Sequence, residues 1–439
     1  MSHEHTRPIA VDLFAGAGGL SLGLEQAGYD VLAAVEFDPT HAAVHEYNFS
    51  YGTTFAADAR TITGAEIRSG SPIGDREIHL VAGGPPCQGI SLMGKRAVDD
   101  PRNELLKEFV RLVLELKPRY FLMENVAGLL VGKHTQLVDE VVALLEESGE
   151  YSVVRPIRIL QAADYGTPQS RNRVFIMGHR NDVPAPEYPA PTHTPRTIRG
   201  VVPEAVDLPL GPSVSDAIGD IPNADNYDAL SVSDRVTGVR YGKPSEYAAP
   251  LRGLTRDPED FSHPRPLLKT ELSSSSRTAH TATSVERFAA TMPGTTEKVS
   301  RFLRLHSDGV ANTLRAGTAS DRGAHTAPRP IHPLYARVIT VREAARLHGY
   351  PDWFRFHVTK WAGFRQIGNS VPARLGRAVG AEILKADGVT PTVGEPVDMG
   401  DPRLLTLNAG DAHRHYGLTE RVIAQRNRRA HGVDEAKSR

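Results

Sequence analysis

Residues 9–19 read Ile9-Ala10-Val11-Asp12-Leu13-Phe14-Ala15-Gly16-Ala17-Gly18-Gly19. An apolar run, Ile9–Phe14, stops at a glycine cluster, and Leu20, Leu22, Leu24 and Ala27 then follow with helical spacing. Glycines between a strand and a helix let backbone approach a ligand closely, and the free N–H groups of the helix start favour an anionic group. Taken alone, such a turn serves many nucleotides or is only a tight bend. The next apolar run, Val31–Val35, ends at Glu36. An acid about twenty positions on, at the tip of the next strand, suits ribose hydroxyls; its plain alternative is a surface carboxylate.

The alternation continues outward. His79–Ala82 runs into Gly83-Gly84-Pro85-Pro86, the spacing over Leu105–Leu116 predicts a helix, and Tyr120–Met123 reads as a strand. A helix is expected near Leu137–Leu145, with further strands at Val153–Leu160 and Val174–Met177. Strands alternating with helices predict an α/β fold, a mainly parallel sheet covered on both faces, with ligands at the carboxyl ends of its strands. The texture changes near Pro184: between there and Pro330 lie 17 of the 32 prolines, and periodicity weakens. An irregular domain of short strands and long loops is expected, with a disordered linker as the alternative. Helical spacing returns at Val341–Leu347 and Arg374–Leu384. After Asp387 the chain reads as a polar tail, whose Arg426, Arg428 and Arg429 suit a solvated end.

Composition sets bounds. In 439 residues, 51 Lys+Arg oppose 52 Asp+Glu, giving a formal net charge of -1. Binding nucleic acid needs a local basic face rather than a basic total, so this balance neither announces nor excludes such a partner. The one cysteine, Cys87, can make neither an internal disulfide nor a multi-thiolate zinc site, and a reducing compartment is expected. The histidines show no metal-ligand spacing, and no metal is expected. No apolar stretch approaches the length of a membrane span, and Met1–Arg7 lacks the apolar core of a secretory signal, so a cytoplasmic protein without a membrane partner is expected.

Cys87 sits in Gly83-Gly84-Pro85-Pro86-Cys87-Gln88-Gly89, a proline-stiffened loop after a strand. A lone cysteine is usually buried and inert. At a ligand-binding sheet edge it is a candidate nucleophile, provided nearby positive charge or a helix start favours the thiolate. Met123-Glu124-Asn125-Val126 places a carboxylic acid at another strand tip, which is general-acid equipment. Gln169-Ser170-Arg171-Asn172-Arg173 carries two arginines at alternate positions, fit for phosphate or carbonyl oxygens or for ordinary ion pairs.

In this order the motifs resemble the DNA cytosine-5 methyltransferase family over about residues 8–386. Residues 12–19 look like its cofactor loop, Pro85-Pro86-Cys87-Gln88 its nucleophile loop, Glu124-Asn125-Val126 its acid motif, and Gln169 with Arg171 and Arg173 its arginine motif. Arg337–Pro351 resembles its penultimate block, and Gln366-Ile367-Gly368-Asn369-Ser370-Val371-Pro372 its closing block. Each motif is modest alone; the ordered set is specific. Departures are Ala57 before Asp58, where glycine is frequent, His348 where glutamine is common, and Ala373 where a second proline is common.

The resemblance implies a methyltransferase Rossmann-like fold with a smaller target-recognition domain, S-adenosylmethionine as cofactor, and double-stranded DNA as substrate. Residues 1–189 and 331–386 would form the catalytic domain, 190–330 the recognition domain, and 387–439 an extension. Phe14, Ala15, Gly16, Gly18, Gly19, Glu36, Asp58, Pro85, Leu105, Asn369 and Ser370 would line the cofactor site. Glu36 would hold the ribose and Asp58 the adenine amino group. For Asn369 a structural role at a helix start stands beside cofactor contact. Cys87 would be the nucleophile, Glu124 would bind N3 of the target base, Arg173 its O2, and Arg171 would support the site. Gln88, Ser91, Lys95 and Thr313, the last in the Thr313-Leu314 signature, would face DNA, although Thr313 suits a structural role equally.

The chemistry requires these groups. Thiolate addition at C6 of cytosine breaks aromaticity and makes C5 nucleophilic. Charge then builds at N3, where an acid helps by about 10²–10⁴ in rate, and an arginine on O2 stabilises the same charge. A stacked base must first leave the helix. A monomer is expected, serving either beside a partner endonuclease or alone. An RNA methyltransferase and a non-enzymatic DNA-binding relative are the rival readings; the large segment between Arg180 and Val338 and the complete set of Cys87, Glu124, Arg171 and Arg173 argue against them.

Overall fold

A computed structural model describes residues 7–86, 104–203, 207–317 and 329–419. Its strands are β1 Ile9–Leu13, β2 Asp30–Glu36, β3 Thr53–Ala56, β4 Leu80–Gly83, β5 Tyr120–Val126, β6 Tyr151–Val153, β7 Arg158–Gln161, β8 Gln169–Ser170, β9 Asn172–Arg180 and β10 Ala311–Asn312. The helices are α1 Gly19–Ala27, α2 Pro39–Asn48, α3 Gly64–Ser69, α4 Glu104–Leu116, α5 Thr135–Glu147, α6 Val214–Ile218, α7 Ala248–Leu251, α8 Ala282–Ala290, α9 Val341–Leu347, α10 Lys360–Asn369, α11 Ala373–Ala386 and α12 Ala409–His415.

The main sheet runs β3-β2-β1-β4-β5-β9-β6, with β7 also on β9. The first five strands are parallel, as helix crossovers between them require. From β9 outward the pairing is antiparallel: β9 runs back between β5 and β6 and pairs with β7 as well. The single strand expected over Val153–Leu160 is two, β6 and β7, with Pro156, which has no backbone donor, in the gap between them.

Alternate side chains of each strand enter opposite layers, as the pleat dictates. Val11, Val81, Phe121 and Met123 meet the apolar faces of α3, α4 and α5. Ala10, Leu80, Ala82, Tyr120 and Leu122 meet α1 and α11. The α1–α11 contact is unusually close. A Cβ on Gly23 would lie 2.6 Å from the Ala373 carbonyl oxygen and 2.9 Å from Gly376 Cα. The C-terminal block thereby returns to the first helix and covers one face of the sheet.

The segment after Pro184 has little regular structure, but its apolar side chains share a core with the C-terminal block. Val214, Ile218, Leu230, Leu272 and Leu305 pack with Ile339, Leu347, Tyr350, Phe354 and Phe364. Glu25 on α1 pairs with Arg265 at 2.5 Å, both side chains fully buried, and Tyr51 donates to the same carboxylate at 2.8 Å. The polar stretch after Asp387 packs back onto the sheet and α2 over 387–419. Asp387 accepts from Arg119 at 3.0 Å and pairs with His79. Leu404 and Leu405 pack on Ala43, Val44 and Tyr47 of α2, and Tyr416 donates to Glu46 at 2.6 Å. The basic cluster at 426–429 lies outside the described residues. Among the described residues, no helix is long and apolar enough to cross a membrane.

Helix propensity alone would make Gly23→Ala stabilising by about 1 kcal/mol. The facing backbone of α11 reverses the sign, and the variant is expected to lose about 1–3 kcal/mol in urea denaturation. A gain in stability would contradict the close approach.

Candidate active site

β1 lies between β2 and β4, so the chain leaves its carboxyl end in one direction and returns on the other side, opening a crevice there. The sequence motifs converge on this edge: Phe14–Gly18 follow β1, Glu36 ends β2, Asp58 follows β3, Gly84-Pro85-Pro86 follow β4, and Glu124 lies near the end of β5.

The glycine-rich loop is held in a left-handed turn. Phe14 has φ 58°, costly for a residue with a Cβ, and Gly16 and Gly18 have φ 58° and 101°. Ala15 donates to the Val35 carbonyl at 3.1 Å, and Gly16 N–H donates to Glu36 Oε2 at 2.8 Å. The other Glu36 oxygen accepts from Asp38 N–H at 2.8 Å. Burial raises the Glu36 pKa, and the nearby His41 opposes that rise. The glycines serve different ends. Beyond Gly16 Cα lies open space, whereas a Cβ on Gly18 would come within 2.3 Å of the Phe49 ring, and one on Gly19 within 2.5 Å of Ser370 Cβ. Gly18 and Gly19 therefore permit packing of the protein on itself, while Gly16 leaves room for a ligand.

Beneath the loop, Asp12 is buried, and burial pushes its carboxyl up to about 7. Ser21 donates to Asp12 Oδ2 at 2.5 Å; Asp12 Oδ1 is buried with no protein partner among the described residues. Behind Ser21, His45 bridges to Thr54 at 2.8 Å, and burial drives its pKa down to about 3. Open space at Gly16, a carboxylate at Glu36 and an unpaired acceptor at Asp12 together fit a cofactor that carries a ribose and a cationic amino-acid group. Asp58 is held by Arg60 at 3.0 Å, and that partner lowers its pKa despite burial. Leu105 is half-buried at the start of α4. Asn369 is exposed and ends α10, so the alternative of a helix-start role is corrected. Ser370 is engaged by His348 at 3.0 Å.

The acid motif faces the arginine motif across the β5–β9 joint. Glu124 pairs with Phe175 in register and Val126 with Arg173, which puts Glu124 and Arg173 diagonally on one face. Arg173 Nε lies 2.6 Å from Glu124 Oε1. Glu124 is 8% exposed; burial raises its pKa, and Arg173 and Arg171 oppose that rise. Asn125 donates to the Pro85 carbonyl at 2.9 Å, and a Cβ on Gly84 would sit 2.9 Å from Glu124 Oε2. The loop that leads to Cys87 thus starts against the acid. Cys87, Gln88, Ser91 and Lys95 lie outside the described residues.

Arg171 does not reach Glu124 directly. Its guanidinium is buried and donates to the carbonyls of Leu314, Gly368 and Ser370 at 2.8–2.9 Å, which is a positioning use. Thr313 likewise spends its hydroxyl within the protein, donating to the Ser170 carbonyl at 2.7 Å where β10 pairs with β8. Asp12 and Asn125 are site residues that the motif reading passed over, although both stand inside quoted motifs; Ser21 and His45 carry no local signal.

An open α/β sheet with a glycine loop and a buried strand-tip acid beside a buried acid–arginine pair is the architecture of the S-adenosylmethionine-dependent methyltransferases. The chain belongs to the C-5 cytosine-specific DNA methylase family, whose model matches residues 9–385. It is 53% identical over 424 residues to the Type II methyltransferase M.XorII of Xanthomonas oryzae pv. oryzae, covering 96% of each chain. It is 31% identical to M.DdeI of Desulfomicrobium norvegicum, covering 85% of this chain and 88% of that one. A solved prophage-encoded protein of E. coli, assigned as a DNA modification methyltransferase, superposes with a TM-score of 0.67 at 32% identity, over 86% of this chain and 99% of that one. The protein is a DNA cytosine-5 methyltransferase.

Removing Arg173 leaves Glu124 buried with weaker opposition. The fold then favours its protonated form, so Arg173→Met costs least below the ordinary glutamate pKa of 4.5 and more as pH rises. The expected loss is about 1–3 kcal/mol near pH 8. Denaturation at several pH values checks it; a cost independent of pH would contradict the pairing.

Proposed function

We propose that the protein methylates C5 of a cytosine turned out of a specific duplex DNA sequence, with Cys87 as nucleophile, Glu124 as acid and Arg173 as oxyanion partner. The observation that carries this is the seam between the loop leading to Cys87 and the acid: Asn125 holds the Pro85 carbonyl, and Gly84 lies directly against Glu124. Cys87 follows Pro86, the last described residue of that loop.

Phe14, Ala15, Gly16, Glu36, Pro85 and Leu105 would hold S-adenosylmethionine, with Asn369 and Ser370 on the returning block, and Asp58 would take the adenine amino group by exchanging part of its contact with Arg60. When bound, the cofactor supplies an electrophilic methyl group. The Cys87 thiolate adds to C6 of the base, and the electron pair displaced from the ring is met at N3 by the proton of Glu124. Burial raises the Glu124 pKa and so favours the protonated acid, and Arg173 would take the charge that develops at O2. Once C5 is methylated, loss of its proton expels the thiolate, and N3 returns its proton to Glu124. The crevice must exclude water so that these charges act at low dielectric. Unstacking the base costs a few kcal/mol, offset by contacts in the pocket.

Residues 190–330 would read the target sequence, with Gln88, Ser91 and Lys95 contacting DNA and Thr313 tying that segment to the arginine motif through the Ser170 carbonyl. The Type II names of the relatives support a modification role beside a cognate endonuclease, carried out by a monomer in the cytoplasm.

Cys87→Ala is expected to abolish transfer of labelled methyl groups to duplex DNA while cofactor affinity by calorimetry changes less than about twofold. Glu124→Gln is expected to lose about 10²–10⁴ in rate. Full activity of either variant would remove that residue from the mechanism.

A further inference from the structure

Three chain segments meet around His348. Gln169 precedes the arginines, Leu314 lies just beyond β10, and Ser370 belongs to the closing block. The side chains of Gln169, Arg171 and His348 are all buried.

The hydrogen bonds among them leave one assignment of protons. Leu314 N–H can only donate, and it lies 3.1 Å from the Gln169 side-chain oxygen. The Gln169 amide nitrogen therefore faces His348 Nδ1 at 2.9 Å and the Leu347 carbonyl at 3.3 Å, donating to both. His348 Nδ1 must accept. On the other side of the ring, Nε2 lies 3.1 Å from the Ser370 carbonyl, which has no proton to give. The Ser370 hydroxyl donates to Ile367 O at 2.8 Å, so its oxygen also accepts from Nε2 at 3.0 Å. Nε2 must carry the proton. Arg171 completes the circuit, donating to the Ser370 carbonyl at 2.8 Å and to the Leu314 carbonyl at 2.9 Å.

We propose that neutral His348, protonated at Nε2, is a positioning residue: it closes a ring, Gln169–His348–Ser370–Arg171–Leu314, that sets Arg173 against Glu124 and anchors the chain at Thr313-Leu314. This rests on reading Glu124 and Arg173 as the groups that bind the base. Arg173 follows Arg171 by two residues on the same chain, so a shift of the Arg171 anchor moves the catalytic guanidinium. The charged neighbours of the ring, Arg171 and Arg173, and the stacked Tyr350 all favour or tolerate the neutral imidazole. Glutamine offers the same pair of functions, one acceptor and one donor at opposite ends of a short planar group. A phenyl ring offers neither.

The test compares His348→Gln and His348→Phe in the full-length protein, using labelled S-adenosylmethionine and an unmethylated duplex. His348→Phe is expected to lower kcat/KM for DNA by about tenfold or more, with KM for the cofactor changed less than about twofold, and His348→Gln to restore the DNA value to within about threefold. A His348→Phe enzyme with wild-type DNA kinetics, or a His348→Gln enzyme as impaired as His348→Phe, would overturn the assignment. Should His348→Phe not fold, histidine-selective 15N spectra decide, with His348 identified by its loss in His348→Gln. A proton on Nε2 near pH 7 supports the ring, and a proton on Nδ1 or a charged imidazole refutes it. The spectra do not depend on catalysis, so wild-type protein that moved no methyl group would sink the catalytic reading alone.

Discussion

The 2.6 Å contact between Glu124 and Arg173 spans the joint where the sheet changes character. β5 is the last parallel strand, and β9 is the antiparallel strand beside it. Burial presses a proton onto Glu124 while two guanidiniums pull it off, and general-acid work needs such a balance. Much of the surrounding structure maintains it. Asn125 fixes the start of the loop that leads to Cys87, the carbonyls of Leu314, Gly368 and Ser370 hold Arg171, and the antiparallel register holds Arg173 diagonally across from Glu124.

The cofactor side depends on a second constraint, the close return of the C-terminal block. Gly19 admits Ser370 and Gly23 admits the backbone of α11, so residues far apart in the chain share one wall of the crevice. The same return carries His348 and Ser370 to the arginine motif. The glycine loop, the arginine motif and the returning C-terminal block thereby pack as one connected assembly. The irregular segment after Pro184 is tied in as well, through the core it shares with residues 339–364 and through the buried Glu25–Arg265 pair.

Local patterns were legible where chemistry is local. The helix Val341–Leu347 is observed with the expected limits because Thr340 and Glu343 form a reciprocal cap. The strand tips carrying Glu36, Glu124 and the glycine loop stand where the alternation places them. Long-range features had no such signal. Nothing near Arg171 announces that its partners are three backbone carbonyls well over a hundred residues away. Leu404 and Leu405 are two leucines in a polar stretch, and only the face of α2 reveals their use. Asn369 looked like a helix start because the closing block precedes α11, yet it ends α10. Thr313 carries a side chain equally suited to DNA or to a carbonyl, and only pairing with β8 shows which the fold employs.

The proposed reaction requires a transient bond between the Cys87 sulfur and C6 of the target base. Replacing the target cytosine by 5-fluorocytosine in a duplex blocks the step that would remove the C5 substituent as a proton, so the covalent species should accumulate. Peptide mass spectrometry after incubation with S-adenosylmethionine should then find a methylated fluoropyrimidine nucleotide on the peptide containing Cys87. An adduct on another residue, or catalytically competent enzyme that forms none, would contradict the account.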